Sequence, residues 1–261
     1  MTGPVQPKGA ARLSGVAHVN RLGGEGDIID SIKSRLAYDF LVDAVFVPSR
    51  FLYYHFRRFP FLKDKLIMFH NAVDPPKMNI KTHQPTRFAV VAKLSKRKQV
   101  DKILRVFHLL RRLPWQLHIG GTGPELENLK KLSDALQIND RVHFAGQIDP
   151  YKFLRDKDVG ILYSKQEPFG YAIIEYMAMS CAVVASRVGG IPEIITHEEN
   201  GLLVDPHNPH TLETALRSLM DHPDRIQCLS RNGYNAVERK FNQTVIFPKI
   251  ENRLARLIRP N

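Results

Sequence analysis

Two glutamates, Glu167 and Glu175, stand eight positions apart at the junction of a predicted strand and a predicted helix. The apolar run 159–163 precedes them and is typical of a buried strand. Pro168 fits a helix start, and Gly170 lets another group approach the backbone closely. Because the first turn of a helix leaves N–H groups unpaired, it attracts anions. Two carboxylates beside such a turn predict a ligand with both phosphate and hydroxyl groups, as in a sugar nucleotide.

Two lysines upstream could supply the opposite charge. Lys93 ends a predicted strand, and Lys98 begins the predicted helix that follows. A diphosphate leaving group gathers negative charge as its sugar departs, so cations placed there stabilise the transition state more than the ground state. A solvated basic run is the alternative interpretation, since Lys96 and Arg97 lie between them.

These side chains must be positioned by an alternation of strands and helices in the second part of the chain. Strands are predicted near 87–92, 115–119, 141–144, 159–163, 182–186 and 202–204. Helices are predicted near 98–111, 124–136, 150–155, 170–179, 190–196, 209–220 and 223–239. Such alternation predicts a parallel sheet covered on both faces, with ligands bound at the carboxyl ends of its strands.

The first part of the chain repeats the alternation on a smaller scale. Strands are predicted at 15–19, 44–47 and 66–69, a helix at 29–42, and a short helix after Ser49, which is a plausible N-cap. A polar stretch that runs to Pro85 is typical of a linker. A last helix is predicted over 244–258.

Several motifs occur in a fixed order along the chain. They lie at 93–98, 120–124, 167–175, 180–186, 189–193 and 201–204. Together they resemble the donor-site signature of retaining glycosyltransferases of family 4, which share the GT-B architecture. The resemblance covers about residues 86–240 and extends in part to 14–75.

The resemblance implies an α/β fold of GT-B type, in which a Rossmann-like parallel-sheet domain is joined to a partial second Rossmann-like domain. The implied organisation has a flexible N-terminus at 1–13, a partial acceptor-side domain at 14–75, a linker at 76–86, a donor-binding domain at 87–240 and a helix at 241–261 that crosses back to the first domain.

The resemblance also assigns roles to the charged residues. Glu175 accepts hydrogen bonds from the ribose hydroxyls, and Glu167 lies near the donor sugar. Lys93 and Lys98 hold the diphosphate. The family usually has arginine at the first lysine position, and lysine lacks the bidentate geometry of arginine.

Backbone groups complete the implied donor site. The amides of Phe169, Gly170 and Tyr171 contact sugar or phosphate oxygens. The glycines Gly121 and Gly123 line the nucleotide pocket.

Three further positions belong to the same implied site. Gln147 and Ile148 read the base through their backbone. His18 contacts the donor sugar in this scheme, and a structural histidine is the alternative. The glycine pair Gly189-Gly190 fits a structural role better than a catalytic one.

The implied reaction transfers a hexosyl group from a UDP- or GDP-sugar to a glycan or lipid-linked acceptor, in the synthesis of a cell-surface polysaccharide, lipopolysaccharide or glycolipid. The resemblance implies that it needs no metal or other cofactor. It also implies a reaction on one face of the sugar without an enzyme nucleophile, in which the leaving phosphate helps to deprotonate the acceptor. Asp156-Lys157-Asp158 mimics the metal-binding D-x-D motif of another transferase class, but Asp158 matches a residue common in this family.

The net charge of +12 is compatible with nucleic acid, an anionic membrane surface or a phosphate-rich substrate. No zinc-finger or RNA-binding signature is present, so nucleic acid is not expected as a partner. The segment 51–61 interleaves six aromatic residues with Arg57 and Arg58. It could lie in a lipid headgroup layer or form an ordinary helix with some aromatics in the core.

Cys181 lies in an apolar run, so a buried thiol is expected, which fits a reducing compartment. The start at 1–13 has no hydrophobic segment typical of a secretion signal, and no apolar run reaches 18 residues. We therefore expect a cytoplasmic protein, with the inner face of the membrane as a candidate peripheral location.

A complete GT-B enzyme has two domains of similar size, whereas the first one here has about 70 residues. Two further hypotheses therefore stay open. The chain could be a non-catalytic or truncated donor-binding half that needs a partner chain or a missing N-terminal segment, or it could be a basic membrane-associated scaffold module.

Overall fold

The structure is a computed structural model that describes residues 19–21 and 42–258. The described residues form two compact units, one within 73–242 and the other from the described parts of 1–72 and 243–261. The predictions for His18, for the N-terminal segment 1–13 and for a helix at 29–42 lie outside the described residues, apart from Val42.

The larger unit contains a six-stranded parallel sheet. Its strands are β4 (Thr86–Val91), β5 (Trp115–Gly120), β6 (Val142–Gly146), β7 (Val159–Leu162), β8 (Ala182–Ser186) and β9 (Leu202–Val204). They are arranged in the order β6-β5-β4-β7-β8-β9, and every pairing is parallel. Because the central strands are covered on both faces, their sequences are continuous apolar runs. Every residue of β8 is buried.

Six helices cover this sheet among the described residues of the unit. They are α2 (Val100–Leu109), α3 (Leu126–Ala135), α4 (Pro150–Leu154), α5 (Tyr171–Ala178), α6 (Pro209–Asp221) and α7 (Pro223–Lys240). Alternate strand residues pack in two separate cores: Phe88 and Val90 join one core, and Ala89 joins the other. This period of two is what a sheet with two covered faces requires.

Predicted helix boundaries differ from the structure in several places. The helix predicted from 98 begins at Val100 after a 3₁₀ turn at Lys96–Lys98, because Gln99 adopts a left-handed backbone with φ of 48°. The helix predicted at 190–196 is only a 3₁₀ turn, Ile191–Glu193, whose N–H groups bond to carbonyls three residues back. Pro168 does not start a helix, since α5 begins at Tyr171.

The segment 73–85, which precedes β4, runs along the larger unit. The Lys81 ammonium donates to the carbonyl of Arg155 at 2.9 Å, and the His83 ring lies 2.7 Å from the carboxylate of Asp158. Asp158 is buried and also accepts from a backbone N–H of β4 at 2.8 Å. This carboxylate, part of the D-x-D look-alike, is therefore engaged in holding the start of the sheet.

The smaller unit contains a three-stranded parallel sheet among its described residues. Its strands are β1 (Val19–Arg21), β2 (Ala44–Val47) and β3 (Leu66–Met68), in that order. Its helices are α1 (Arg50–Arg57) and α8 (Gln243–Ile258), with a 3₁₀ turn at Pro60–Leu62. The predicted N-cap is confirmed, since the Ser49 side chain accepts from the Leu52 N–H at 3.1 Å.

The aromatic and basic segment 51–61 has two sides. Leu52 and Phe56 are fully buried in the core of the smaller unit, whereas Tyr54 is 65% exposed and the side chains of Arg57 and Arg58 are exposed. Neither side forms part of a bilayer-crossing helix, since no described helix is long and apolar enough to cross a membrane.

Cys181 is a buried, unpaired thiol, which confirms that prediction. It lies directly before β8, where its Sγ contacts the carbonyl oxygen of Lys157 at 3.2 Å. Burial raises its pKa to about 12. The thiol is therefore protonated and unreactive at neutral pH.

Candidate active site

The predicted site residues follow four neighbouring strands of the larger sheet. Loops leave β6, β5, β4 and β7 at their carboxyl ends, and these four strands are adjacent in the sheet. The loops carry, in that order, Gln147 with Ile148, Gly121 with Gly123, Lys93 with Lys98, and Glu167 through Tyr171. In a parallel sheet this edge is the usual place for ligands.

A cleft of about 500 Å³ opens over the first three of these loops. Five predicted residues line it: Lys93, Gly121, Gly123, Gln147 and Ile148. Its volume is in the range of small-molecule sites. Lys93 is exposed and forms no ion pair with any described residue, so its ammonium is available to an anionic ligand.

Close backbone packing explains why two positions in this cleft are glycine. Gly121 and Gly123 have φ of +130° and +157°, which side chains rarely adopt. A Cβ at Gly121 would overlap the carbonyl oxygen of Ala92, and one at Gly123 would overlap that of Leu94. The absence of Cβ atoms therefore lets the loop after β5 pack directly on the backbone of the loop that carries Lys93.

An ion pair joins two residues of the predicted donor site. The Lys98 ammonium lies 2.5 Å from a carboxylate oxygen of Glu167, and the two side chains are only 13% and 12% exposed. Because both charges are largely removed from water, each depends on the other for stabilisation. The structure thus places the cation of the β4 loop directly against the carboxylate of the β7 loop.

The backbone of Glu167 is held from a second side. Its carbonyl accepts a hydrogen bond from the Gly190 N–H at 3.1 Å. Gly189, with φ of +53°, packs so closely that a Cβ there would overlap the same carbonyl oxygen. The glycine pair therefore has a structural role, which is to position Glu167.

Helix α5 begins directly after this loop. Gly170 is its N-cap, with φ of 100°. Phe169 is buried and its ring lies 6.1 Å from that of Phe241, so its side chain belongs to the core. Tyr171, in contrast, is 45% exposed.

Glu175 lies one turn into α5 and is partly buried. Among the described residues its carboxylate has no hydrogen-bond or ion-pair partner. Burial raises its pKa from 4.5 to about 7. A carboxylate of this kind gains from hydroxyl donors that a ligand supplies, because they replace the water it has lost.

Two tyrosines near this helix were not predicted as site residues. The Tyr176 hydroxyl accepts from the Val91 N–H at 2.7 Å and donates to the Ile161 carbonyl at 3.3 Å, so it ties α5 to both β4 and β7. Tyr151 on α4 interacts electrostatically with Glu175. In the sequence, the feature that could have indicated this role of Tyr176 is its position on the core-facing side of the predicted helix.

Replacing Glu175 by glutamine is expected to change the pH dependence of stability. The folded pKa of about 7 lies above the ordinary value of 4.5, so the folded protein keeps a proton that the unfolded chain has released. Wild-type stability therefore falls as pH rises from 4.5 to 7, by up to about 3 kcal/mol relative to the glutamine variant. Urea unfolding gives the free energy of unfolding of both proteins at pH 5 and pH 8. The same change in this free energy between the two pH values in wild type and variant would contradict the prediction.

Comparison with known proteins identifies relatives of this chain. A family model described as glycosyl transferases group 1 matches residues 75–236. The lipopolysaccharide core biosynthesis glycosyltransferase LpsD of Rhizobium meliloti is 35% identical over 131 residues, which are 50% of this chain and 38% of LpsD. The part of this chain that matches thus spans well under half the length of that relative.

Solved structures resemble the chain over nearly all its length. A glycosyltransferase from Rickettsia africae matches with a TM-score of 0.80 and 16% identity, covering 93% of this chain and 71% of that one. HepE of Anabaena, solved with UDP and glucose, matches with a TM-score of 0.81 and 19% identity, covering 94% and 73%. These likenesses confirm the predicted fold class, an α/β fold with Rossmann-like parallel sheets of GT-B type.

Proposed function

The chain belongs to the family of group 1 glycosyl transferases, and we propose that it moves a hexosyl group from a UDP- or GDP-sugar to a glycan or glycolipid acceptor. The acceptor would belong to the synthesis of a cell-surface polysaccharide, a lipopolysaccharide or a glycolipid. The observation that carries this proposal is the convergence of a glycine-lined cleft, two lysines and two glutamates at one edge of the sheet.

Each part of the donor has a matching group at this edge. The base would lie on the backbone of Gln147 and Ile148, which line the cleft. The ribose hydroxyls would donate to Glu175. Lys93 and Lys98 would hold the diphosphate, and the start of α5 adds the field of its first-turn amides. In this proposal the donor is held without a metal ion.

The proposed reaction retains the configuration of the sugar, as in family 4. The anomeric C–O bond to the diphosphate breaks, and its electron pair leaves on the phosphate oxygen. The acceptor hydroxyl forms the new bond on the same face and passes its proton to that oxygen. The products are a glycoside and a nucleoside diphosphate. Lys93 and Lys98 would stabilise the departing charge, and Glu167 would lie against the sugar.

Donor binding is expected to depend on Glu175. The chain should bind UDP or GDP in calorimetry without added metal, and Glu175→Ala should weaken binding by about 1–3 kcal/mol, since the ribose hydroxyls lose their acceptor. Glu199→Ala, at an exposed glutamate outside the cleft, is the matched control. Equal affinities of the Glu175 variant and the wild type would remove Glu175 from the ribose site.

A donor-binding half that needs a partner chain is the second candidate function. The specific observation in its favour is the length of the matched region, which is 38% of LpsD. Assays of turnover with nucleotide sugars and a lipid-extract acceptor distinguish the two candidates. Sugar transfer by this chain alone supports the first candidate, a complete enzyme. UDP binding with transfer only after addition of a longer N-terminal segment supports the second, a donor-binding half.

Association with an anionic membrane, on the cytoplasmic face, is expected to involve the exposed arginines at the C-terminal end of α1. Changing both Arg57 and Arg58 to alanine should reduce co-sedimentation with anionic liposomes, because each cation contributes about 1 kcal/mol near such a surface. Salt should weaken the association as well. Arg111→Ala with Arg112→Ala, two exposed arginines of the other unit, is the matched control. If the variant with Arg57 and Arg58 replaced sediments with liposomes as the wild type does, these arginines do not form the membrane-binding surface.

A further inference from the structure

A second cavity, of about 300 Å³, lies on the larger unit apart from the donor cleft. Three lysines line it: Lys96 in the loop after β4, Lys102 in the first turn of α2, and Lys165 in the loop after β7. No residue that lines this cavity also lines the cleft that holds Lys93. The cavity is therefore a separate place where a small ligand could bind.

The three ammonium groups are poorly neutralised. Among the described residues none of them forms an ion pair, and only Lys102 has a side-chain hydrogen bond, to the carbonyl of Pro206 at 3.3 Å. Asp101 and Glu125 also line the cavity, but neither carboxylate reaches these lysines within ion-pair distance. Three cations around one cavity repel each other, and an anion placed between them would relieve that repulsion.

The start of helix α2 adds to the field in the cavity. This ten-residue helix begins at Val100, and no side chain caps its first turn. Val100 and Asp101 both line the cavity. The positive end of the helix dipole, together with the lysines, is the arrangement that binds phosphate in other proteins.

Gln99 indicates what else the ligand carries. This residue lines the cavity and is 1% exposed, with a left-handed backbone. Its side-chain Nε2 donates to the carbonyl of Pro206 at 3.2 Å, whereas its side-chain Oε1 is buried and accepts from no donor among the described residues. An acceptor left in this state is costly, and a hydroxyl group would satisfy it.

We propose that this cavity is a second ligand site and that it binds a phosphorylated sugar. The phosphate would lie among Lys96, Lys102 and Lys165 at the start of α2, and a sugar hydroxyl would donate to Gln99. Inorganic phosphate meets only the first requirement and an unphosphorylated sugar only the second. The site therefore selects for the two groups in one molecule.

Titration with glucose 6-phosphate tests the site. Calorimetry should show saturable binding of glucose 6-phosphate to the full chain. Glucose and inorganic phosphate should each bind about tenfold or more weakly, because glucose lacks the charge-assisted bonds to the lysines and phosphate lacks the hydroxyl bond to Gln99. The double variant Lys102→Met, Lys165→Met should bind glucose 6-phosphate at least about tenfold more weakly. Lys131→Met, at an exposed lysine of α3 outside the cavity, should bind it as the wild type does.

Competition with UDP separates this site from the donor cleft. Saturating UDP should leave the affinity for glucose 6-phosphate unchanged, and the double variant should keep wild-type UDP affinity, which also shows that it is folded. Displacement of glucose 6-phosphate by UDP would place it in the donor cleft and overturn the proposal. Failure of glucose 6-phosphate to bind at millimolar concentration, or equal binding by inorganic phosphate, would overturn it too. Because glucose 6-phosphate binding is measured without UDP, a failure of donor binding is detected separately.

Discussion

Glu167→Gln is expected to lower sugar transfer by about 10²–10³-fold, the effect of losing one preorganised charged group, while UDP affinity is unchanged or higher. Glutamine keeps the shape of the side chain and an acceptor for the Lys98 ammonium, which is 2.5 Å away. The negative charge is lost, so Lys98 is free to bind the diphosphate. The substitution also removes the negative charge beside which the reacting sugar would lie, and transfer should therefore slow.

Two measurements on the same proteins check this expectation. Calorimetry gives the UDP affinity, and transfer from a panel of nucleotide sugars to a lipid-extract acceptor gives the rate. Glu199→Gln, an exposed glutamate distant in sequence, controls for the loss of one negative charge. Wild-type turnover in Glu167→Gln would exclude a catalytic role for the carboxylate. Loss of UDP binding would show that the ion pair builds the diphosphate site rather than competing with it.

Gly121→Ala is expected to destabilise the larger unit by about 2–5 kcal/mol, which combines an unfavourable backbone with steric overlap. The φ of +130° is strained for alanine, and the new Cβ would overlap the backbone oxygen of Ala92. This backbone carbonyl, directly after β4, cannot move as the end of a flexible side chain can. Relief would require the loop after β5 to separate from the loop that carries Lys93.

Urea unfolding followed by circular dichroism measures the cost, and Gly146→Ala is the matched control. Gly146 also has positive φ, at +66°, but a Cβ there would meet no atom within 4 Å. That variant should therefore cost only about 1–2 kcal/mol of backbone strain. Equal destabilisation of the two variants would show that the contact with Ala92 contributes nothing. UDP affinity should fall in Gly121→Ala even where the protein remains folded, because the two loops share the cleft.

Local patterns determined the strands and their approximate limits. The segments 182–186 and 202–204 are strands at the predicted residues, and the helix predicted near 209–220 ends one residue later. These elements are encoded by short runs of apolar residues and by their flanking turn residues, which neighbouring positions alone can specify. The spacing of Glu167 and Glu175, with a strand before and a helix after, was likewise readable from adjacent residues.

Helix ends were less predictable from the same information. Pro168 fits a helix start by composition, yet α5 begins at Tyr171. The backbone of Glu167 is held instead by the N–H of Gly190, which is far along the chain. Where a helix starts depends on how the backbone groups around its first turn are engaged, and the partner of the Glu167 carbonyl comes from another loop.

Tertiary structure alone decided the electrostatics of the candidate site. Lys98 and Glu167 pair across 69 positions of sequence, and Glu175 has a raised pKa because the fold buries it. The sequence determined which charged residues are present and that they follow neighbouring strands. The distances and the loss of water that set the strength of their interactions arise only when loops from separate strands meet at one edge of the sheet.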